Sequence, residues 1–294
     1  MKMFTKLALV SSMAISANAM AMQAMDDAAL SSATGQDGIS INISTTAGIS
    51  VDNLYIHDNG GLTYSGTAPT AGQAGFGGTG ASGAIVIAGN GVVGDDNETA
   101  GVVISDVNLD LVIDTDAGGG DAFLNVAATV GAMDISIGSI GVAGSGTLNT
   151  DLGTRGTTGT TNEILTGLKL SLGEITANVQ LGATPQGAMI KLDSELTGGL
   201  TISDLGIKDG GAGGEIYLDN IYVRGTGGTA AGNLVVKTDI GVTANGLKIT
   251  STDTNPINVY IEGVHLGDRA NASIGDVEIN GLRTGGSVIT IAGH

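Results

Sequence analysis

Apolar residues recur along this chain in a fixed figure: a pair two apart, two polar or glycine residues, then another pair two apart. Ile49 and Val51 precede Asp52-Asn53, and Leu54 and Ile56 follow it. Val102, Ile104, Val107 and Leu109 repeat the figure, as do Ile135, Ile137, Ile140 and Val142. So do Leu200 to Ile207, Ile216 to Val223, Val259 to Leu266 and Ala272 to Ile279, with Leu170-Ser171-Leu172 before Ile175 as a weaker copy. Side chains alternate faces along a strand, so in a straight strand the two arms would present their apolar residues to opposite sides. Both arms reach one core only where the chain bends or bulges at the joint. Asp-Asn, Ser-Asp, Gly-Ser and Gly-Asp tolerate such bends.

The figure predicts an all-β fold, an irregular β-solenoid or β-helix-like stack of short strands joined at corners. A β-sandwich of doubly buried strands and an outer-membrane β-barrel are the alternatives. The copies start at 49, 102, 135, 170, 200, 216, 259 and 272, and no single period fits them. That excludes an array of units of fixed length. Stretches rich in Gly, Thr, Ser and Ala at 60–83 and 143–161 read as long loops. A short helix after Asp26 or Asp27, ended by Gly35, is the one helical signal. The expected division is 1–19 leader, 20–38 lead-in and 39–294 a single β-rich domain.

Composition narrows the core. Gly is 51 of 294 residues, Pro 3, Cys 0 and Trp 0, with aromatics at 3%. Without a Gly-X-Y period this is not collagen, and 41% apolar residues argue against general disorder. The core therefore consists of Val, Ile, Leu and Ala in thin layers, held without disulfides. The 29 acidic residues against 11 basic give a formal charge of −18, which repels phosphate backbones and excludes nucleic acid as a partner.

Lys2 and Lys6, the apolar run Leu7–Ala17 and the small-x-small sequence Ala17-Asn18-Ala19 have the form of a secretory leader. The apolar run is too short to cross a bilayer as a helix, which takes roughly 20 residues. Export across the inner membrane of a Gram-negative bacterium and an extracellular or cell-surface location are expected. The segment Asp27-Ala-Ala-Leu-Ser-Ser-Ala-Thr-Gly-Gln-Asp-Gly-Ile39 resembles the N-terminal signature of a poorly characterised exported gammaproteobacterial family, some of whose members are described as pilus-system proteins. The resemblance covers about 20 residues. It implies an envelope or secreted protein connected with a surface filament, and it carries over no catalytic or ligand residue.

Catalytic signatures are missing from the sequence. His57, His265 and His294 have no zinc-type spacing, there is no cysteine nucleophile, and no G-x-S-x-G elbow occurs. Gly78-Thr-Gly80-Ala-Ser-Gly83 fits G-x-G-x-x-G, but the strand-like Ala84-Ile-Val-Ile87 follows where a dinucleotide site needs a helix. Calcium is the better idea for a small ligand. Asp114, Asp116 and Asp121 set carboxylates around Gly118-Gly-Gly120, and hard oxygen ligands at alternating positions can wrap that ion. A solvated acidic turn is the plainer account, and Asp95-Asp96-Asn97-Glu98 is a second such cluster. The function expected is structural and non-enzymatic, with no cofactor beyond that ion: a surface filament component or adhesion-associated protein, whose partners are subunits joined through exposed sheet edges. A barrel in the outer membrane and an exported polysaccharide-binding β-helix are the other readings.

Overall fold

A computed structural model describes residues 38–63 and 77–293. The leader and the short N-terminal helix expected from the sequence lie outside the described residues, as does most of the 60–83 loop. The chain divides between Ile39 and Ser40, and the second unit, Ser40–His294, carries almost all of the described strands.

Each pass of the chain through the molecule is a run of short strands separated by corners, and the passes stack by backbone hydrogen bonding. The first layer is β1 (Ile39–Ser44), β2 (Ile49–Val51) and β3 (Leu54–His57). The chain returns as β4 (Gly83–Ala88), β5 (Val102–Ile104) and β6 (Asn108–Asp116). The third layer is β7 (Phe123–Val130), β8 (Met133–Ile137) and β9 (Ser139–Ser145); the fourth is β10 (Thr157–Leu165), β11 (Leu168–Leu172) and β12 (Ile175–Gly182). Two arms then fuse into one bent strand. The fifth layer is β13 (Ile190–Leu196) and β14 (Leu200–Lys208), and the sixth is β15 (Glu215–Gly225) and β16 (Leu234–Thr243). The seventh is β17 (Gly246–Ser251) and β18 (Ile257–Gly267), and the eighth is β19 (Val277–Leu282) and β20 (Val288–Ile291).

Two sheets result. One has eight strands in the order β1-β6-β7-β12-β13-β16-β17-β20, one from each layer. The other has twelve, because the first four layers each contribute two arms to it. β14 shows the fusion directly: it pairs with β11 as far as Ser203 and with β10 at Ile207. The corner within this sheet is marked layer by layer. Gly101 donates its amide to the Asp52 carbonyl, and Gly138 donates to Gly101. Further along, the bend in β14 falls at Asp204, whose φ is +61°, and the β14–β15 and β15–β18 registers place Asp219 and then Gly263 beside it.

The all-β class expected from the sequence is therefore the class observed, and the two-residue joints are corners. Successive layers nevertheless run in opposite directions, and every ladder whose register is given is antiparallel. The connections explain this. Turns between layers alternate ends of the stack, as at 117–122 and then 146–156, so the chain doubles back where a solenoid winds one way. The stack shares only aligned corners with a solenoid. Neither sheet closes on itself, so the barrel alternative does not describe it. The expected 143–161 loop is shorter than read, since β9 and β10 extend into it from both sides.

Apolar rows run across the layers. Ile49, Ile104, Ile135, Leu170, Ile202, Ile221, Ile261 and Val277 form one uninterrupted row through eight strands. Ile113, Val126, Val179, Ile190, Ile240, Ile249 and Ile289 form another in the eight-stranded sheet. The middle members are half-buried, and of the terminal ones Ile49, Val277 and Ile289 are exposed while Ile113 is half-buried. Among the described residues buried apolar side chains are few and mostly small, Ala84, Val86 and Ala100 among them, as expected of a core poor in aromatics.

Candidate functional site

The features that separate one part of this stack from another lie at its two ends. β1, β2 and β3 form the first layer, β19 and β20 the last, and no described strand pairs with the outer edges of β1, β2 or β20. An unpaired strand presents a row of N–H and C=O groups to any chain that approaches it. Folded proteins usually guard such edges with lysine, proline, bulges or inward-pointing charges. Here lysine and proline are absent from the edge strands, and the one bulge is in β19, where its pairing with β18 slips between Ile279 and Leu282. β1 reads ISINIS, β2 ISV, β3 LYIH and β20 VITI, and Glu278 in β19 is the one Asp, Glu, Lys or Arg in the five strands. Ile41 and Ile43 of β1 and Ile289 and Ile291 of β20 are exposed.

The charges are on the inner strands instead, where they tie neighbouring layers together. Lys169 of β11 pairs with Asp134 of β8 at 3.0 Å. Lys191 and Asp239 pair across β13 and β16 at 3.0 Å, and Asp193 and Lys237 across the same two strands at 2.9 Å. Exposed pairs of this kind contribute little stability each, about 0–1 kcal/mol. Their position matters more, because a chain this acidic leaves its ends nearly neutral.

The most strongly charged hollow lies along the corner of the twelve-stranded sheet, a cleft of about 760 Å³ whose lining includes Asn97, Glu163, Lys169, Asp204, Lys208 and Arg269. Each cation in it has a carboxylate partner: Lys208 binds Glu163, Lys169 binds Asp134 and Arg269 binds Glu215. The Arg269 guanidinium also lies 4.7 Å from the centre of the Tyr217 ring, and the Tyr217 hydroxyl donates to Asp204 at 2.6 Å. Burial first, then that bond to Asp204, pushes the Tyr217 phenol well above its ordinary pKa. The hydrogen bond from Ser171 and the Lys169 ammonium together hold Asp134 below the usual carboxylate range, and Asp134 raises Lys169 in turn. Charges already matched in this way leave little for an ionic ligand to bind.

The sequence-predicted calcium residues are near one another in the chain but do not converge. Asp114 and Asp116 are on β6, and Asp121 follows the 3-10 turn Gly118–Gly120. Asp116 accepts the Gly118 amide at 2.6 Å, closing the hairpin. No group of three or more His, Asp or Glu side chains that could hold a metal occurs among the described residues. In the second cluster, Asp95 accepts from Asn90 at 2.5 Å and Glu98 from the Gly94 amide at 3.4 Å, so both serve turns of the insertion between β4 and β5. Neither His57 nor His265 is fully exposed. His57 Nδ1 contacts the Ser145 hydroxyl at 2.7 Å. His265 is raised above its usual pKa, chiefly by its bond to the Asn271 carbonyl and secondarily by Asp219.

Residues 1–136 of the chain match the model of a family of unknown function, DUF6160. The matched stretch takes in the first two layers and ends within β8. No curated protein and no solved structure matches the chain.

Proposed function

We propose that this is a secreted or cell-surface structural protein, a component of a pilus-like filament or an adhesion-associated assembly, and not an enzyme. The observation that carries the reading is the pair of nearly uncharged end layers, free of lysine and proline in their strands, on an otherwise strongly acidic stack. A monomer that had to stay monomeric outside a cell would be expected to carry lysines or prolines on those edges. Strand addition at an exposed edge supplies main-chain hydrogen bonds, and alternate side chains supply specificity. The leader at Met1–Ala19 and the resemblance of Asp27–Ile39 to an exported family support the location.

The reading is tested by labelling sheared surface material from producing cells with a specific antibody and imaging it by electron microscopy. Labelled filaments are expected. Label confined to the outer-membrane fraction would sink the filament reading.

A further inference from the structure

Because the stack contains eight layers and successive layers alternate in direction, its last layer runs opposite to its first. A ninth layer would run in the same direction as the first. The first layer of a second copy, set upon the last layer of another with the corners aligned, therefore continues the antiparallel alternation without a break. An odd number of layers would have forced a parallel pairing at the junction.

Side-chain chemistry fits at the same place. The apolar row that ends at Val277 would meet Ile49 of the next copy, so isoleucine and valine face each other as they do inside the molecule. In the eight-stranded sheet, Asn42 donates to Asp110 and Ser44 to Asn108, which sets Ser40 opposite Val112. From Val112 the register runs strand by strand to Val288. Ser40 and Val288 are thus the two ends of one row. In a stack of copies they become neighbours across the junction.

We infer that the partner for these edges is a second copy of this chain, added head to tail, with β19 and β20 of one copy hydrogen-bonded to β2 and β1 of the next. This rests on the structural reading above and makes it specific. The contact is heterologous, so it does not close on itself and generates an open filament. At about 4.8 Å per strand each copy advances the filament by about 38 Å.

The absence of cysteine allows a direct test. In the exported chain the double variant Ser40→Cys with Val288→Cys places two thiols roughly 33 Å apart within a molecule, seven strand spacings, too far to bridge. Under mild oxidation it should give a ladder of disulfide-linked oligomers on a non-reducing gel, while Ser40→Cys with Thr290→Cys, out of row by two residues, links at least several-fold less. Efficient dimers from either single-cysteine variant would overturn the inference in favour of a symmetric end-to-end contact. An uncross-linked double variant beside a wild-type chain that still assembles would overturn the register but leave the surface-assembly reading intact. A wild-type chain that stays monomeric at all concentrations would remove both.

Discussion

A single position shows how closely the corners are specified. Gly263 has φ +64°, and a Cβ built there would collide with the Asp219 carboxylate on the next strand. Replacing it by alanine therefore costs twice, once in backbone conformation and once in crowding. Gly263→Ala should lower the unfolding free energy by about 1–3 kcal/mol, and thermal denaturation followed by circular dichroism measures it. His265, two residues on, gives a pH signature. Its folded-state pKa lies above that of the unfolded chain, chiefly through the Asn271 carbonyl. The stability it contributes is complete below the ordinary histidine range and is lost as pH rises through the raised value. The amides of Val264 and Ile274, which bond to the Gly275 and Val264 carbonyls, should show a greater loss of exchange protection between pH 6 and pH 8 than pH alone accounts for. His265→Gln should abolish that excess, and an unchanged excess in the variant would show that His265 is not its source.

At the scale of elements, the two-residue joint was the most informative thing in the sequence. Ser203-Asp204 is a corner because Asp204 accepts a positive φ, as Asp106 does after Ser105, while the flanking apolar pairs remain in their rows. The direction of the layers was hidden for a physical reason. A corner-bent arm has the same apolar spacing whether its neighbour runs parallel or antiparallel, and only the turns between layers decide. The same reversal contributes to the lack of a period: consecutive layers enter the corner from opposite ends, and from 200 onward the copies start 16, 43 and 13 residues apart, short across one turn and long across the next. The insertion 89–101 between β4 and β5 was equally opaque. It is pinned by Asn97, which is buried and donates to the carbonyls of Ala100 and Ser136 at 3.0 and 3.2 Å. Asn97→Ala removes both bonds and should cost about 1–3 kcal/mol, read as a lower midpoint in urea. Exchange protection should fall first at Gly101, which bonds to Asp52 across the corner. The acidic residues of this insertion looked like metal ligands in the sequence because turn-capping and ligation use the same oxygen-rich residue types.

For the whole molecule, the edges that could carry assembly were legible as a possibility, since any open stack of strands has two ends. Which residues form them was not, because that depends on the pairing order. Once β1, β2, β19 and β20 are known to be terminal, their low charge, Glu278 alone, becomes meaningful. Ile41→Lys combined with Val288→Lys places a cation on each free edge at exposed positions. This variant should keep the circular dichroism spectrum and melting temperature of the monomer, because surface changes away from packing usually shift stability by less than about 0.5 kcal/mol. Sedimentation should show it failing to assemble under conditions in which the wild-type chain does. Assembly undiminished by the two lysines would place the contact elsewhere.

Whether this layered β-stack extends itself through its ends can be read by electron microscopy of the concentrated, purified protein, with power spectra taken from any filaments. End-to-end stacking gives an axial reflection at about 4.8 Å from strands stacked across the filament axis, and a repeat of about 38 Å from eight such layers per copy. Isolated particles of single-copy size at every concentration, or filaments with strands running along the axis, would contradict it.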